Sequence, residues 1–263
     1  MTQRITDTFE RLKASNQSGF VAYVMGGDPD RDTSQRVLNA LPDNGVDIIE
    51  LGMPFTDPAA DGPVIEDAGL RSLKGGMTLA GILGMASEFR KINSDTPVII
   101  MGYCNPVHHM GYEAFAKAAK AAGVDGAIIV DLPPEEDGGL RAAFETYDLA
   151  LIRLATPTTD DARLPRVVAG TKGFVYYVSV AGITGKNLGE QASVKDAVAR
   201  IRKASGLPVV VGFGVKTAAQ SASVARDADA VVVGSAIVKA LHEDGEAAAL
   251  ELVKTLADAA HNA

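Results

Sequence analysis

The chain has 263 residues, of which 47% are hydrophobic and 22% are charged, and its formal net charge is −8. This length and composition suit one globular domain with a large core, since α/β barrels of this size are undivided. We therefore expect a single domain over residues 1–263. The negative charge argues against nucleic acid or an anionic membrane surface as a partner.

The cysteine count and the first residues indicate a cytoplasmic protein. Cys104 is the only cysteine, which excludes a disulfide framework and a cysteine-based metal site. The opening sequence, MTQRITDTFERLK, is charged throughout and lacks the apolar core of a signal peptide. No apolar run approaches the length of a membrane span.

Short apolar runs alternate along the chain with segments of helical spacing. A helix over about residues 2–14 comes first, with Ile5, Phe9 and Leu12 on one face. The strand runs are largely apolar, as in parallel strands covered on both faces. They lie at 19–24, 47–51, 97–102, 126–130, 149–154, 173–179, 208–212 and 229–233. Helical spacing is found at 32–44, 78–93, 112–122, 135–146, 192–204 and 217–227.

Eight strands alternating with helices predict an α/β fold, the (β/α)8 TIM barrel. An open doubly wound sheet is the alternative, but no Gly-x-Gly-x-x-Gly turn follows the first strand. The gap after the second strand is the longest, and residues 52–76 must hold an inserted loop and helix. The extra N-terminal helix would close the bottom of the barrel.

The second strand carries a carboxylate among apolar neighbours. Burying the charged form of Glu50 there costs folding free energy unless the carboxylate is paired, protonated or used in chemistry. The loop that follows is rich in turn residues and carries Asp57 and Asp61. Because the active site of a barrel lies at the C-terminal ends of its strands, Glu50 is the first candidate for an acid/base residue, with Asp61 nearby.

Glycine-bearing turns follow the last three strands. Gly212-Phe213-Gly214 comes after the seventh strand, and Gly234-Ser235 opens a helix after the eighth. Barrels often bind phosphate between these two loops, although glycines can also serve only to make tight turns. Gly182-Ile183-Thr184-Gly185, after the sixth strand, is either a mobile lid with further donors or a long surface loop.

The residues at the strand ends limit the reaction type. No strand run contains the lysine that a Schiff-base aldolase needs. His108 and His109 are the histidines near a strand end, and adjacent loop histidines are more often solvated or at an interface than metal ligands. Carboxylates remain, with Tyr176 or Tyr177 facing the barrel interior. If a carbon–carbon bond is cleaved, the electron sink must therefore belong to the substrate.

The segment from Glu50 to Pro63, ELGMPFTDPAADGP, resembles the signature of the tryptophan synthase alpha chain family. Further matches follow in order along essentially the whole chain: Gly27-Asp28-Pro29, Met101-Gly102-Tyr103-Cys104-Asn105-Pro106, Asp131-Leu132-Pro133, Tyr176, and the glycine turns above. The resemblance implies a (β/α)8 barrel and a lyase of L-tryptophan biosynthesis. That lyase cleaves indole-3-glycerol phosphate to indole and glyceraldehyde 3-phosphate, with no metal and no cofactor in this chain.

The resemblance also implies roles for individual residues. Glu50 would protonate indole C3 and assist the glyceryl hydroxyl, Asp61 would pair with the indole N–H, and Tyr176 would lie beside Glu50. The phosphate positions implied are Thr184, Gly185, Gly214, Gly234 and Ser235. The indole pocket implied is Tyr23, Met101, Ile128, Val130 and Leu154, which could otherwise be plain barrel core.

The family works with a pyridoxal-phosphate beta subunit, and the resemblance implies an alpha2beta2 tetramer. The partner surface implied is Pro54, Asp57, Pro58, Asn105 and His109, and we expect weak activity without the partner. Val180 stands where some members carry arginine, and Tyr23 where phenylalanine is frequent. A stand-alone lyase with the same chemistry and a non-catalytic barrel that acts as a regulatory partner are the alternatives.

Overall fold

Residues 3–178, 188–212 and 214–263 are described in a computed structural model. Within these ranges nine parallel strands form one sheet with the order β5-β4-β3-β2-β1-β9-β8-β7-β6. The strands are β1 (Gly19–Met25), β2 (Ile48–Gly52), β3 (Val98–Gly102), β4 (Gly126–Ile129), β5 (Ala150–Leu151), β6 (Arg153–Ala155), β7 (Val175–Val178), β8 (Val209–Gly212) and β9 (Ala230–Val233).

The predicted fifth strand is broken into two short strands at Ile152. Its first half, β5, pairs with β4, and its second half, β6, pairs with β7. The Leu151 carbonyl also accepts a hydrogen bond from the Lys172 N–H, which lies ahead of β7, at 3.2 Å. One run of chain thus changes neighbour midway and joins the two ends of the strand order. The (β/α)8 barrel is confirmed, with its fifth strand bent.

Helices surround the barrel. They are α1 (Gln3–Ala14), α2 (Arg31–Ala40), α3 (Pro63–Lys74), α4 (Leu79–Arg90), α5 (Cys104–Met110), α6 (Tyr112–Ala121), α7 (Gly138–Thr146), α8 (Leu164–Val168), α9 (Leu188–Ser205), α10 (Ala218–Ala225), α11 (Ser235–Glu243) and α12 (Glu246–His261), with a 3-10 turn at Pro42–Asn44. The inserted helix predicted after the second strand is α3. In the described ranges no helix is both long and apolar enough to span a bilayer.

The sequence did not predict α5 or α8. The first N–H of α5, on Cys104, donates to the Asp131 carboxylate at 2.7 Å, so a loop 27 residues further on supplies the cap. His108 and His109 lie in the last turn of this short helix. The expectation that they lie on a loop was therefore wrong.

Alternate strand residues fill the barrel interior, as the pleat requires. One buried cluster holds Val21, Ile48, Ile99, Ile128, Ala150, Ile152, Phe174, Tyr176, Val210, Ala230 and Val232. Ile5 of α1 belongs to this cluster, and the Phe9 ring lies edge-on to Phe174 at a centroid distance of 6.0 Å. Helix α1 therefore closes the bottom of the barrel, as its apolar face predicts.

Aspartates precede three strands at that bottom end. In each case the carboxylate accepts a hydrogen bond from the N–H of the first or second residue of a neighbouring strand and pairs with an arginine. Asp47 binds Phe20 N–H at 2.9 Å and Arg11 at 2.7 Å. Asp125 binds Val98 N–H at 2.9 Å, Arg90 at 2.7 Å and Arg4 at 2.9 Å. Asp229 binds Val209 N–H at 2.7 Å and Arg202 at 2.9 Å.

Candidate active site

The C-terminal ends of the strands enclose a cavity of about 1090 Å³. Its walls include inward-facing residues one pleat above the core layer, so that Glu50 follows Ile48 and Met101 follows Ile99. The predicted site residues on this lining are Tyr23, Glu50, Asp61, Met101, Val130, Leu154, Tyr176, Gly214, Gly234 and Ser235. The fold thus brings together residues from the first to the last strand.

Glu50 is fully buried, and neither of its carboxyl oxygens has a hydrogen-bond partner among the described residues. It lies on β2 opposite Tyr23 of β1 and Ile99 of β3. Burial raises the pKa of Glu50 from 4.5 to about 8. The side chain is therefore protonated at neutral pH and can donate a proton into the cavity.

Asp61 lies in the turn immediately before α3, two residues ahead of the first helical residue. Burial raises the pKa of Asp61, and a hydrogen bond with Tyr103 acts in the opposite direction. The Tyr103 hydroxyl also accepts a hydrogen bond from the Ala60 N–H at 3.1 Å, and burial raises the pKa of Tyr103 to about 12. Tyr103 is thus a site residue to which sequence reasoning gave no role, although its place directly after β3 was an available signal.

Two buried tyrosines stand beside Glu50, and each hydroxyl lies over a glycine. A Cβ at Gly52 would be 2.3 Å from the Tyr23 hydroxyl oxygen, and one at Gly212 would be 2.4 Å from that of Tyr176. These positions must therefore be glycine for the rings to fit. Burial, followed by the nearby carboxylates, raises the pKa of both tyrosines well above the ordinary value, so both hydroxyls are neutral donors.

Tyr176 and Tyr177 face opposite sides of β7. Tyr176 lies in the interior cluster, whereas Tyr177 packs with residues of α8 and α9 outside the barrel. The prediction that one tyrosine faces the barrel interior and the other faces the helices is confirmed. Tyr176 is the one that lines the cavity.

The predicted phosphate positions at the ends of β8 and β9 lie side by side on the cavity wall. Gly214 has a φ of +57°, which favours glycine. Gly234 precedes the first residue of α11, Ser235, and a Cβ at Gly234 would lie 3.2 Å from the Tyr23 ring. Lys216, which sequence reasoning did not select, lines the same cavity. Thr184, Gly185 and Val180 lie outside the described residues.

The indole-pocket expectation needs one correction. Tyr23, Met101, Val130 and Leu154 line the cavity, but Ile128 does not. Ile128 lies one pleat deeper, fully buried in the barrel core, because β4 presents Val130 at the level of the cavity.

The predicted partner surface also needs one correction. Asp57, Asn105 and His109 are exposed, and Pro58 is partly exposed, at the ends of the adjacent strands β2 and β3. Pro54, in contrast, is buried within this chain, so its ring is not available to a partner. Next to it the Phe55 ring stacks on Tyr103 at a centroid distance of 5.3 Å.

Comparisons with known proteins agree with this fold. The model of the family "Tryptophan synthase alpha chain" matches residues 9–263. The tryptophan synthase alpha chains of Caulobacter sp. strain K31 and Caulobacter vibrioides strain NA1000 are 61% and 60% identical over 235 residues, 89% of this chain and 86% of theirs. The crystal structure of tryptophan synthase subunit alpha from Legionella pneumophila strain Paris is 37% identical, with a TM-score of 0.92 over 99% of both chains. A structure of Mycobacterium tuberculosis tryptophan synthase is 36% identical, with a TM-score of 0.91 over 99% of both chains.

Proposed function

The chain belongs to the tryptophan synthase alpha chain family, and on this premise we propose that Glu50 and Asp61 perform the family's lyase reaction. That reaction cleaves indole-3-glycerol phosphate to indole and glyceraldehyde 3-phosphate in L-tryptophan biosynthesis. One observation carries the proposal: Glu50 is a fully buried carboxyl group without a described partner, on a cavity that also holds Asp61. A buried polar group left unpaired is a cost that a purely structural residue has no reason to incur.

Glu50 acts first as an acid. With a pKa of about 8 it is protonated at neutral pH, and it transfers its proton to C3 of the indole ring. The ring then carries a positive charge shared with its N–H group. The carboxylate of Asp61 accepts a hydrogen bond from that N–H and stabilises the charge as it develops. Burial raises the pKa of Asp61, and the hydrogen bond from Tyr103 opposes this rise and so favours the ionised form that this role needs.

Glu50 acts next as a base. Now ionised, it removes the proton from the hydroxyl on the glyceryl carbon bonded to C3. The carbon–carbon bond breaks, its electron pair returns to the ring, and the glyceryl carbon becomes the aldehyde of glyceraldehyde 3-phosphate. One proton enters at C3 and one leaves the hydroxyl, so Glu50 ends in its starting form. The ring itself is the electron sink, which explains how the reaction proceeds without a strand lysine.

The remaining predicted residues bind the two ends of the substrate. We place the indole against Tyr23, Met101, Val130 and Leu154, with Ile128 supporting them from below, and Tyr176 beside Glu50. We place the phosphate against the backbone N–H groups at Gly214, Gly234 and Ser235, with Thr184 and Gly185 as further donors. Lys216 adds a positive charge to that wall of the cavity.

We further propose that a single domain over residues 1–263 performs this reaction in the cytoplasm without a cofactor of its own. Pyridoxal phosphate belongs to a beta subunit, which receives the indole in an alpha2beta2 tetramer. Asp57, Pro58, Asn105 and His109 form the surface that contacts it, since they are exposed or partly exposed after β2 and β3, at the end of the barrel that holds the cavity.

The test is indole release from indole-3-glycerol phosphate by the purified chain, with and without a beta subunit. We expect release that rises with the beta subunit and is lost in Glu50→Gln. A fast rate without the beta subunit would favour a stand-alone lyase. Absence of indole under both conditions, from a folded protein, would contradict the proposed catalysis and favour a regulatory barrel.

A further inference from the structure

Asp61 is held on one side by its own loop and Tyr103, and on the other side by α3, which begins two residues later. Four of the nine residues in the loop 53–61 are exposed and three are partly exposed, and the Asp61 N–H donates to the Pro58 carbonyl within that loop at 3.2 Å. The 12-residue helix α3 begins at Pro63, directly after Asp61 and Gly62. A helix of this length is a rod of roughly 18 Å, so any tilt of α3 displaces Asp61 at its end.

The far end of α3 is fastened to the loop after β1. Arg71 donates two hydrogen bonds to Asp28, with Nε–Oδ1 at 2.6 Å and Nη2–Oδ2 at 3.0 Å. Ser72 Oγ donates to the Gly26 carbonyl at 2.6 Å. The Asp28 side chain is 1% exposed and the Arg71 side chain 27% exposed. A bidentate arginine–carboxylate pair fixes orientation as well as distance, so this contact sets the direction of α3.

Between Asp61 and Arg71, α3 is held against the barrel by apolar contacts, about which the helix could tilt. Ile65 and Ala68 pack against Tyr23 and Met25 of β1 and Val238 of α11, and Ile65 also lines the cavity. Apolar packing of this kind is not directional, so it holds the helix down without fixing its angle. Asp61 lies on one side of this contact and Arg71 on the other.

We propose that Arg71 and Asp28 are positioning residues for the lyase reaction, because their ion pair orients α3 and thereby holds Asp61 at the indole N–H. This inference rests on the role proposed above for Asp61. Neither residue of the pair belongs to the cavity lining, so neither is assigned contact with the substrate. Displacing a catalytic group by about 1 Å costs on the order of a hundredfold in rate.

The experiment is a double-mutant cycle in the full chain with its beta subunit, using Arg71→Met, Asp61→Asn and the combination. We expect Arg71→Met to lower kcat by roughly tenfold to a hundredfold with little change in KM, since the barrel walls supply most of the binding contacts. In the Asp61→Asn background the same substitution should change kcat by less than about twofold, because the group it positions is already lost. Arg71→Lys should restore part of the rate, since it keeps the charge but loses the bidentate geometry.

Arg4→Met is the matched control. Arg4 also pairs with a carboxylate that is 1% exposed, Asp125, and its own side chain is 35% exposed, but this pair lies at the opposite end of the barrel. It should leave kcat per folded molecule within about twofold of the parent chain, since surface-facing pairs affect stability rather than the site. Asp28→Asn replaces Arg71→Met if the latter does not fold, with the same cycle and the same expectation.

The outcomes separate this inference from the proposed function. An equal loss of kcat from Arg71→Met in the presence and absence of the Asp61 carboxylate would show that the pair does not act through Asp61, and would overturn the inference. A normal rate in Arg71→Met beside an impaired Asp61→Asn would overturn the inference alone. A normal rate in Asp61→Asn would remove the proposed role of Asp61 and, with it, this inference.

Discussion

Buried carboxylates occur at both ends of this barrel, but their surroundings are opposite. At the bottom, Asp125 is 1% exposed and is held by a strand N–H and two arginines. At the top, Glu50 is fully buried with no described partner. The same chemical group therefore ties strands and helices together at one end and is kept available for a reacting molecule at the other.

The difference is expressed in the pKa values. Burial alone would raise the pKa of Asp47, but hydrogen bonds from His261, Arg11 and Phe20 N–H outweigh it, and the pKa is lowered. Burial acts without such opposition on Glu50 and raises its pKa to about 8. Partners, rather than burial, thus decide whether a carboxylate in this barrel is a structural anion or an acid.

Replacing the unpaired carboxyl group tests the comparison most severely. Glu50→Gln should lower kcat by about a thousandfold, within the range that general acid–base catalysis supplies. At about pH 4, where Glu50 is protonated in both the folded and the unfolded chain, the free energy of unfolding should change by less than about 1 kcal/mol, since no described contact is lost. Indole release measures the first value and urea unfolding the second. A large loss of stability with retained activity would show that Glu50 has a structural role rather than a catalytic one.

Replacing a paired carboxylate should have the converse result. Asp125→Asn should lower the free energy of unfolding by about 3 kcal/mol, because Arg4 and Arg90 lose their common anion. The kcat of the folded fraction should stay within about twofold of the parent chain. Urea unfolding and indole release on the same preparations check this, and a loss of kcat without a loss of stability would contradict it.

Glu50 at the top and Asp47 at the bottom should make contributions of opposite sign to the pH dependence of stability. Between pH 4.5 and about 8 the folded chain keeps the Glu50 proton that the unfolded chain has lost, so Glu50 lowers stability as pH rises. The stability of Glu50→Gln relative to the parent should therefore increase by up to about 1.4 kcal/mol per pH unit in that window. Equal slopes for the two proteins would show that Glu50 titrates normally.

Asp47 should show the reverse sign at acid pH. Its folded pKa lies below its unfolded value, so its stabilisation is present above about pH 4 and is lost as the pH falls further. The stability difference between the parent chain and Asp47→Asn should shrink in that range. Urea unfolding at pH values from about 2.5 to 6 measures it, and a difference that grows towards acid pH would contradict the pairing.

The smallest effect should come from the outermost partner at the bottom. Arg11→Met should lower the free energy of unfolding by less than about 1 kcal/mol, since the Arg11 side chain is 57% exposed and Asp47 keeps His261 and Phe20 N–H. High salt should reduce even this difference in urea unfolding. A loss as large as that expected for Asp125→Asn would show that exposure is a poor guide to the strength of these pairs.

The strands were predictable because covered parallel strands are apolar runs with regular spacing, and Glu50 was predictable because it interrupts one of them. Features fixed by distant residues were not predictable. The cap of α5 comes from Asp131, and buried Arg153 finds its partner, Asp137, in the loop after β4. That Glu50 has no hydrogen-bond partner among the described residues could not be predicted either, since it depends on every neighbour that the fold brings near.

The kind of site was predictable, but the level of individual residues along the barrel axis was not. The family resemblance implied that Ile128 lies in the pocket and that Pro54 lies on the partner surface, but Ile128 lies below the cavity and Pro54 is buried within the chain. The level of a residue within the barrel depends on the stagger of neighbouring strands. This stagger is set by how the strands pair, and the sequence of a single strand does not reveal it. Tyr103 was missed for a similar reason, because its contact with Ala60 joins two loops that are separate in sequence.

The bend at Ile152 has a consequence for association between chains. A strand at the rim of an open sheet exposes unpaired N–H and C=O groups, and these can template pairing with another molecule and lead to aggregation. Here the two strands that end the sheet order are halves of one run and are occupied by β4 and β7. Ladder pairing in the described sheet is interrupted only at this bend, so the bend is the place where resistance to aggregation would first be lost if the barrel opened.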